Sequence, residues 1–284
     1  MKILVTGGAG FIGSHLCEEL AKDRNNNIYS LDNYSIGTPR NHVDNVTYIK
    51  GDTADIKHNI VFVPDVVYHL GEYSRVEQSF EDIKRVWSSN QKGTFEVIEF
   101  CREHNVKLVY AGSSTKFAIS ENGSDLSPYA WTKARNTELI KNYNNWFGLS
   151  YAIVYFYNVY GGREISDGRY STLIALFKEK IKEKKPLTVV SPGTQKRNFT
   201  HINDIINGLI LVGEKGVGDE YGIGCNDSYS ILEIAKMFGG KIEMIPERQG
   251  NRVDGKVMTS KTLELGWRVK HSVGDYIQDF LKTS

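Results

Sequence analysis

A cluster of glycines between a short apolar run and a helical pattern constrains this chain more than any other feature. Gly7, Gly10 and Gly13 follow the strand-like residues Met1–Thr6 with the spacing G-x-x-G-x-x-G. In dinucleotide-binding loops, one such glycine makes a tight turn, another lets the backbone approach a pyrophosphate, and a third lets helix and strand pack closely. The N-terminus of the next helix then offers N–H groups to the anion. Taken alone, the loop equally suits a glycine-rich turn that binds nothing.

The position of an acidic residue favours one cofactor. The run Asn27–Leu31 predicts a second strand, and Asp32 follows directly at its end. A carboxylate at that point accepts hydrogen bonds from the adenosine ribose hydroxyls and repels a 2′-phosphate, so we expect NAD rather than NADP. Asp52 follows the third predicted strand, Val46–Gly51, and suits equally a contact to the edge of adenine or a loop cap. Together, the glycine loop and Asp32 predict dinucleotide binding.

Strands and helices alternate along the first half of the chain. Strands are predicted at Met1–Thr6, Asn27–Leu31, Val46–Gly51, Val66–Leu70, Lys107–Ala111 and Tyr151–Tyr155. Helical patterns lie between them, after the glycine loop through Ala21, at Arg85–Glu103 and at Tyr129–Phe147. Because this alternation requires crossover connections, it predicts an α/β fold with a Rossmann-type, doubly wound parallel sheet.

The second half is less regular and predicts a smaller α/β substrate lobe. Its predicted elements are a strand at Leu187–Val190 and helices at Ser171–Lys182, Asp204–Gly213, Ser230–Phe238 and Val273–Leu281. We assign residues 1–160 to the dinucleotide-binding domain and residues 161–284 to the lobe. The sequence leaves open whether segments around 200–225 return to the main sheet.

A tyrosine and a lysine four residues apart open one of the predicted helices. Their spacing puts Tyr129 and Lys133 on one helix face, one turn apart. A free phenol, with a pKa of about 10, is a poor base at neutral pH, but a nearby ammonium favours the phenolate. The pair therefore suits a general acid and base for alcohol–ketone interconversion. The hydroxyls of Gly112–Thr115 follow the preceding strand, where ligands of such sheets bind, and they equally suit loop and capping chemistry.

The overall composition excludes several classes of function. The chain of 284 residues carries 35 Lys and Arg residues against 34 Asp and Glu residues, and this balance does not favour nucleic acid binding. No apolar run reaches the roughly 18 residues of a membrane span, and the residues after Met1 do not form a signal peptide. Cys17, Cys101 and Cys225 lack the spacing of a metal site or a disulfide framework. We therefore expect a cytoplasmic protein with reduced cysteines and without metal, nucleic acid or membrane partners.

Further motifs follow one another in order along nearly the whole chain. They are GGAGFIGSHL at 7–16, Asp32-Asn33, His69-Leu70, Asn90 with Gly93-Thr94, Tyr129 with Lys133, FYNVYG at 156–161, RNFTHIND at 197–204, RQGN at 248–251 and LGW at 265–267. This series resembles the NAD-dependent epimerase/dehydratase family of the extended short-chain dehydrogenase/reductase superfamily, whose members act on nucleotide sugars. A series of this length is far more specific than any single motif.

The resemblance implies a bound NAD and a C-terminal lobe that holds a nucleoside-diphosphate sugar. It implies that Ser113 is the hydroxyl partner of the substrate oxygen, that Tyr129 is the base, and that Lys133 activates Tyr129 and binds the ribose. The cofactor contacts that we assign are Gly7, Gly10, Phe11, Ile12, Gly13, Asp32, Asn33, Asp52, Thr53, Leu70, Asn90, Tyr129 and Lys133. The substrate contacts that we assign are Ser114, Thr115, Asn158, Arg197 and Arg248. The planar guanidinium groups of Arg197 and Arg248 suit phosphate oxygens, but either arginine could equally form a surface ion pair. Asn158 could equally cap a turn.

Three stretches depart from the family pattern. Related dehydratases carry an Asp-Glu pair after the hydroxyl residue, whereas this chain has Ser114 and Thr115, so dehydration and decarboxylation are disfavoured. Lys116–Ala118 replaces a more usual Val-Tyr-Gly, and a short span follows it, which predicts a more open pocket above the sugar. Glu72 and Arg75 replace small, neutral residues. They either lie beside the sugar and affect substrate choice, or pair with each other.

The residues together predict a nucleotide-sugar 4-epimerase that acts by transient oxidation at sugar C4 to a 4-keto intermediate. This reaction needs no carboxylate beside Ser113. The alternatives are a nucleotide-sugar 4-dehydrogenase or 4-keto-reductase, then a 4,6-dehydratase, and last a non-catalytic NAD-binding sensor. The family also implies a homodimer, formed through the helices Arg85–Glu103 and Tyr129–Phe147.

Overall fold

Seven parallel strands form the main sheet of the part of the chain that is described. The computed structural model describes residues 1–114, 126–166, 168–246 and 257–283. In chain-order numbering, the strands of this sheet are β1 (Lys2–Thr6), β2 (Asn27–Asp32), β3 (Val46–Lys50), β4 (Val66–His69), β5 (Lys107–Ala111), β6 (Tyr151–Phe156) and β11 (Gly218–Ile223). They lie in the order β3-β2-β1-β4-β5-β6-β11. The prediction of a doubly wound parallel sheet is confirmed.

Helices cover both faces of this sheet, which is why its central strands are apolar on both sides. In β1, Val5 packs into a core that includes Leu16 on one face. The neighbouring Leu4 packs into a second core, which includes Ile98 and Ile140, on the other face. The side chains of β1 therefore alternate between two cores.

The predicted helices begin and end close to the predicted positions, with one change of winding. The helices of the described residues are α1 (Phe11–Leu20), α2 (Ile56–Asn59), α3 (Ile83–Val86), α4 (Thr94–His104), α5 (Pro128–Phe147), α6 (Leu173–Lys182), α7 (Ile202–Lys215), α8 (Ile231–Phe238), α9 (Ser260–Glu264) and α10 (Val273–Lys282). Of these, α2 and α9 were not predicted. The helix predicted at Arg85–Glu103 is interrupted by a π-helical turn, Trp87–Gly93, between α3 and α4. The sequence pattern did not reveal this turn because the apolar residues of the stretch keep helical spacing on both sides of it.

The second half builds a lobe around its own apolar core. Its short strands are β7 (Val159–Tyr160), β8 (Leu187–Val190), β9 (Lys196–Asn198), β10 (Thr200–His201), β12 (Ser228–Ser230) and β13 (Ile242–Ile245). They pair as β10–β7, β12–β9 and β13–β8. Phe177, Ile234 and Phe238 are buried between α6, α8 and the β8 strand.

One later segment returns to the main sheet. Strand β11 pairs in parallel with β6, and α7, which precedes it, packs beside α1. The sequence left such a return open for residues 200–225 without assigning a strand, because Gly218, Asp219 and Glu220 show no apolar alternation. An edge strand needs to bury fewer side chains than a central one, so a polar start is tolerated there. The division of the chain at residue 160 stays a prediction.

The carboxyl ends of the strands meet at one edge of the sheet. Thr6, Asp32, His69 and Ala111 end β1, β2, β4 and β5 there. The strand order reverses between β1 and β4, and ligands of open α/β sheets bind at such a switch point. The fold therefore brings the glycine loop, Asp32 and the segments after β4 and β5 to one place.

Three further findings concern the rest of the molecule. Cys17, Cys101 and Cys225 are buried free thiols, and burial raises the pKa of Cys17 to about 12. Within the described ranges, none of the helices combines the length and the apolar character that crossing a membrane requires. The same ranges contain no group of three or more His, Cys, Asp or Glu side chains arranged to hold a metal ion.

Candidate active site

A cavity of about 1120 Å³ opens at the carboxyl edge of the sheet and extends under the lobe. This volume exceeds the roughly 300–1,000 Å³ of a pocket for one small ligand, so it has room for a dinucleotide and a second molecule. Predicted residues that line it are Gly7, Gly10, Phe11, Ile12, Gly13, Asp32, Asn33, Asp52, Thr53, Leu70, Ser113, Ser114, Tyr129, Lys133, Asn158 and Arg197. Most of the predicted cofactor and substrate residues thus share one cavity.

The glycine loop has the geometry that a dinucleotide requires. Gly7 has a φ of +75°, which favours glycine, and a Cβ on Gly13 would lie 2.1 Å from the Gly7 carbonyl oxygen. Only residues without a side chain therefore fit these two positions. Gly10 precedes α1, and no side chain of the described residues caps that helix terminus. The backbone N–H groups of the first turn of α1 are therefore free of side-chain caps and suit the phosphates of NAD.

Asp32 is held where a ribose would reach it. One carboxylate oxygen accepts a hydrogen bond from the Ala9 N–H at 2.9 Å, and the other accepts one from the Tyr34 N–H at 2.8 Å. Burial raises the pKa of Asp32, while these two backbone donors oppose that effect. The carboxylate also lines the cavity, and each oxygen keeps a further lone pair that can accept a hydrogen bond from a ligand. This arrangement fits the ribose of NAD, and the negative charge would repel a 2′-phosphate.

Asp52 has the capping role that the sequence left open, while it still lines the cavity. Its Oδ1 accepts a hydrogen bond from the Ala54 N–H, at the start of a short 3₁₀ turn. Its Oδ2 accepts one from the Asn33 side chain at 2.9 Å. Thr53 is buried beside it. The predicted contact of Asp52 with adenine stays a prediction.

Helix α5 presents the predicted acid–base residues to the cavity. Ser127 caps the helix by accepting a hydrogen bond from the Ala130 N–H, and Pro128 occupies the first helical turn. From this fixed start, Tyr129 and Lys133 line the same cavity as Ser113, which follows β5. The Tyr129 hydroxyl makes no hydrogen bond with the described part of the chain. It is available to a substrate oxygen.

Lys133 is engaged by a buried carboxylate. Its ammonium forms an ion pair with Glu72, and the two side chains are 5% and 2% exposed. The ammonium also donates to the Ala111 carbonyl oxygen and lies 4.8 Å from the centre of the Tyr110 ring. Glu72 therefore pairs with Lys133. The pairing of Glu72 with Arg75, which the sequence left open, is not formed.

The other oxygen of Glu72 is held by three protein donors. Thr94 Oγ1 donates to Glu72 Oε1 at 2.8 Å, the Asn136 amide at 3.0 Å and the Tyr110 hydroxyl at 3.1 Å. Burial, and then the Glu72 carboxylate, raise the pKa of Tyr110 well above its usual value, so this phenol remains a donor. Glu72 is thus a fully satisfied buried carboxylate.

A neutral histidine extends this network to β1. Burial lowers the pKa of His69 to about 4, so the imidazole is neutral at physiological pH. Because Thr94 donates its proton to Glu72, its oxygen accepts the bond of 2.9 Å from His69 Nε2. The hydrogen-bond network therefore assigns the ring proton to Nε2, and Thr6 Oγ1 donates to Nδ1 at 2.7 Å.

Arg75 lines the cavity, and its guanidinium bonds oxygen atoms of Tyr170 and Ser74. Its Nε donates to the Tyr170 carbonyl oxygen and its Nη1 to Ser74, and within the described ranges it forms no ion pair. Burial lowers the pKa of this guanidinium, and the phenol of Tyr129 is the first of three that oppose the shift. Arg75 therefore adds positive charge near Tyr129.

The remaining predicted residues lie in different surroundings. Asn90 does not line the cavity: it is fully buried, and its side chain bonds the Tyr73 backbone and Thr132. This position suits support of the cavity wall, because its polar atoms are already paired. Asn158 donates to the Asn198 carbonyl oxygen, and Arg197 donates to that of Lys196. Thr115 and Arg248, two predicted substrate contacts, lie outside the described residues, as does Lys116–Ala118.

Sequence reasoning missed the partners that fix Lys133. Asn136 lies three residues after Lys133 on α5, so helical spacing could have placed it on the same face. Tyr110 carries no such signal, since a tyrosine in a buried strand is normally a core residue. Glu72 was noticed as a departure, but its partner is set by how α5 packs against the segment after β4.

The chain is similar to several proteins along most of its length. The family model for the NAD dependent epimerase/dehydratase family matches residues 3–224. A protein of Bacillus subtilis (strain 168), described as the uncharacterized UDP-glucose epimerase YtcB, is 35% identical over 260 residues, with 84% of this chain and 81% of that protein covered. The Thermus thermophilus UDP-glucose 4-epimerase in complex with NAD has a TM-score of 0.88, 26% identity and 100% coverage of both chains. The UDP-glucuronic acid 4-epimerase from Bacillus cereus, in complex with UDP-glucuronic acid and NAD, has a TM-score of 0.86, 28% identity, and coverage of 100% of this chain and 99% of that chain.

These similarities agree with the geometry of the cavity. The matched residues include the glycine loop, Asp32, Tyr129 and Lys133. NAD, which the family description names, fits the loop and the buried acid, and the prediction of this cofactor is confirmed. The chain belongs to the NAD dependent epimerase/dehydratase family.

Proposed function

We propose that this protein is an NAD-dependent nucleotide-sugar 4-epimerase. The observation that carries the proposal is that Tyr129, Lys133 and Ser113 line the same cavity as the glycine loop and Asp32. An acid–base residue and a hydroxyl thus lie beside a dinucleotide site. Similar proteins that are described as UDP-sugar epimerases, between 26% and 35% identical, support the same class of reaction.

The residues after Ser113 favour epimerisation over loss of water. Ser114 and Thr115 follow it, and neither hydroxyl acts as a carboxylate at neutral pH. Dehydration at the neighbouring carbon needs an additional acid and base, whereas epimerisation at C4 needs only one acid–base residue and reversible oxidation. Glu72, an acid of the cavity wall, is committed to Lys133.

In the proposed reaction, Tyr129 takes the proton of the sugar 4-hydroxyl and later returns it. Ser113 holds the same oxygen by a hydrogen bond, and Lys133 is the partner of Tyr129 one helical turn away. When bound, NAD supplies reversible hydride exchange with C4. The cavity of about 1120 Å³ gives the 4-keto sugar room to turn its other face before the proton returns.

The lobe side of the cavity is proposed to hold the nucleoside diphosphate. Arg197 lies on β9 and Asn158 directly before β7, and both line the cavity. A guanidinium offers a planar fork of donors that matches phosphate oxygens. The same role is proposed for Arg248 from the sequence alone.

Turnover of paired nucleotide sugars tests the proposal. The purified protein is incubated, without added cofactor, with uridine, thymidine, cytidine and guanosine diphosphate sugars whose C4 epimers are known. We expect one pair to interconvert from both directions to a common ratio, with no net NADH. Absence of a C4 epimer from every sugar in protein that contains NAD would contradict the proposal, and so would a product that has lost water.

A pair of tyrosine variants identifies the acid–base residue. Tyr129→Phe removes the hydroxyl, so we expect turnover to fall by about 10²–10⁴-fold while NAD remains bound. Tyr151→Phe is the matched control, because Tyr151 begins β6 at the opposite edge of the sheet and is outside the cavity. Equal activity of the two variants would exclude the proposed role of Tyr129.

A further inference from the structure

The ion pair between Lys133 and Glu72 changes what the lysine can do. In a Tyr-x-x-x-Lys pair the ammonium favours the phenolate because it is an isolated positive charge. Here a carboxylate lies within hydrogen-bond distance of that ammonium, and both side chains are almost completely buried. At positions farther away, opposite charges in contact act as a dipole, and their fields largely cancel.

The burial of the pair also requires both partners to be charged together. An unpaired ammonium or carboxylate in this position would cost several kcal/mol of desolvation. Glu72 in addition accepts hydrogen bonds from Thr94, Tyr110 and Asn136, which stabilise its ionised form and fix its orientation. The carboxylate of Glu72 therefore both fixes the position of the Lys133 ammonium and offsets its positive charge.

We propose that Glu72 is a positioning residue of the catalytic centre, which holds Lys133 and offsets its charge so that Lys133 acts on Tyr129 as half of a neutral pair. The inference rests on the proposed role of Tyr129 as base. The role assigned to Glu72 is separate from the roles of the glycine loop, the Tyr-x-x-x-Lys pair and the arginines proposed to bind the diphosphate.

Other groups contribute to the electrostatic surroundings of the pair and of Tyr129. They are the guanidinium of Arg75 in the segment after β4, the neutral imidazole of His69 at the end of β4, the phenol of Tyr110 in β5, and the phenol of Tyr170 in the lobe. Arg75 carries a positive charge that no carboxylate of the described residues offsets by an ion pair. This charge is present in the wild type and in the Glu72 variants alike, so a difference between their Tyr129 midpoints reports on Glu72.

A titration of the phenolate tests this inference without a substrate. Phenolate absorbance of the NAD-loaded protein is recorded from about pH 6 to about pH 11, and the same titration of the Tyr129→Phe protein is subtracted to isolate Tyr129. The subtraction is repeated in the Glu72→Gln background. Because the amide cannot offset the ammonium, we expect the Tyr129 midpoint to move to lower pH by at least about half a unit. A smaller shift, or one to higher pH, would overturn the inference.

A double variant covers the case in which Glu72→Gln does not fold. Glu72→Gln with Lys133→Met removes both charges, and such replacements of a buried pair are usually tolerated. The inference predicts a Tyr129 midpoint within about half a unit of the wild-type value, because one neutral pair replaces another. A larger rise would show that Lys133 acts as a free cation in the wild type.

The same titrations separate this inference from the proposed function. If nucleotide sugars are turned over but the midpoints do not respond to Glu72, the epimerase proposal stands and the role of Glu72 falls. If the midpoints respond but no sugar is turned over, the electrostatic role of Glu72 stands and the proposed reaction falls.

Discussion

Two buried carboxylates of the cavity differ in what their oxygens face. Asp32 accepts two backbone hydrogen bonds and keeps a further lone pair on each oxygen, so it is arranged to receive donors from a ligand. Glu72 uses one oxygen on three protein donors and the other on Lys133, so it is arranged to hold a side chain of the protein itself. At the scale of residues, we therefore propose that one acid selects the cofactor and the other holds the lysine beside the proposed base.

The buried imidazole of His69 predicts a stability that depends on pH. Its pKa is lowered by burial from 6.5 to about 4. Between these values the unfolded chain binds a proton that the folded chain excludes, so stability is complete above about pH 6.5 and falls as the pH approaches 4. His69 accounts for up to about 3 kcal/mol of this loss.

Chemical denaturation at several pH values checks this prediction. We expect the unfolding free energy of His69→Gln to fall less steeply between about pH 6.5 and about pH 4 than that of the wild type. Some slope will remain, because burial also lowers the pKa of His201 to about 4. His58→Gln, at an exposed position of α2, is the matched control and keeps the wild-type slope. Equal slopes for all three proteins would refute the role of His69.

At the scale of elements, the junction between β1 and α1 leaves no space for a side chain. A Cβ on Gly13 would lie 2.1 Å from the Gly7 carbonyl oxygen and 2.9 Å from the Gly8 Cα, and both are backbone atoms. The loop can accommodate such a group only by moving away from the helix terminus. Because that terminus is the proposed phosphate site, packing and cofactor binding are coupled there.

Gly13→Ala is therefore expected to weaken NAD binding by at least about tenfold and to destabilise the fold by about 1–3 kcal/mol. The gain in helix propensity from alanine, about 1 kcal/mol, is too small to compensate. Gly162→Ala is the control, since its nearest neighbour would be 3.7 Å away. Calorimetric titration of cofactor-free protein with NAD measures the effect. Wild-type affinity in Gly13→Ala would disprove the coupling.

The sequence predicted the elements whose residues are constrained locally, and it missed those that depend on tertiary packing. Strand β5 and helix α5 were predicted to within one residue, because apolar runs and caps mark their ends. The edge strand β11 and the π-helical turn have no such marks. The pairing of Glu72 with Lys133 joins residues 61 positions apart, so no spacing rule could predict it.

At the scale of the whole molecule, polar contacts join the lobe to the sheet domain over the cavity. Arg75 Nε donates to the Tyr170 carbonyl oxygen, and the Tyr170 hydroxyl donates to Asp82 at 2.8 Å. The Gln78 amide donates to the Arg169 carbonyl oxygen. Because both halves of the molecule line the cavity, a ligand that spans them has contacts on each side.

A second whole-molecule feature concerns assembly, and we propose that two copies of the chain pair through the face of the π-helical turn and α5. Trp87 and Trp131 stack there with ring centres 5.8 Å apart, and they are 53% and 37% exposed. Phe95, also partly exposed, follows on α4. Adjacent exposed aromatic rings of this kind mark interaction surfaces.

Light scattering tests the proposed dimer. We expect twice the chain mass for the wild type and a single chain mass for the variant that combines Trp87→Glu with Trp131→Glu, because two buried charges would oppose association. Val61→Glu, at another exposed apolar position, is the control and remains dimeric. A monomeric wild type at micromolar concentration, or a dimeric double variant, would contradict the proposal.

The central claim is that the sugar is oxidised transiently at C4, and the fate of a label on that carbon tests it most directly. A nucleotide sugar that the protein converts is prepared with deuterium at C4 and incubated in ordinary water without added cofactor. Transient oxidation and re-reduction predict that the C4 epimer forms with the deuterium still on C4. Loss of the deuterium to water, or an epimer formed with the label on another carbon, would contradict the account.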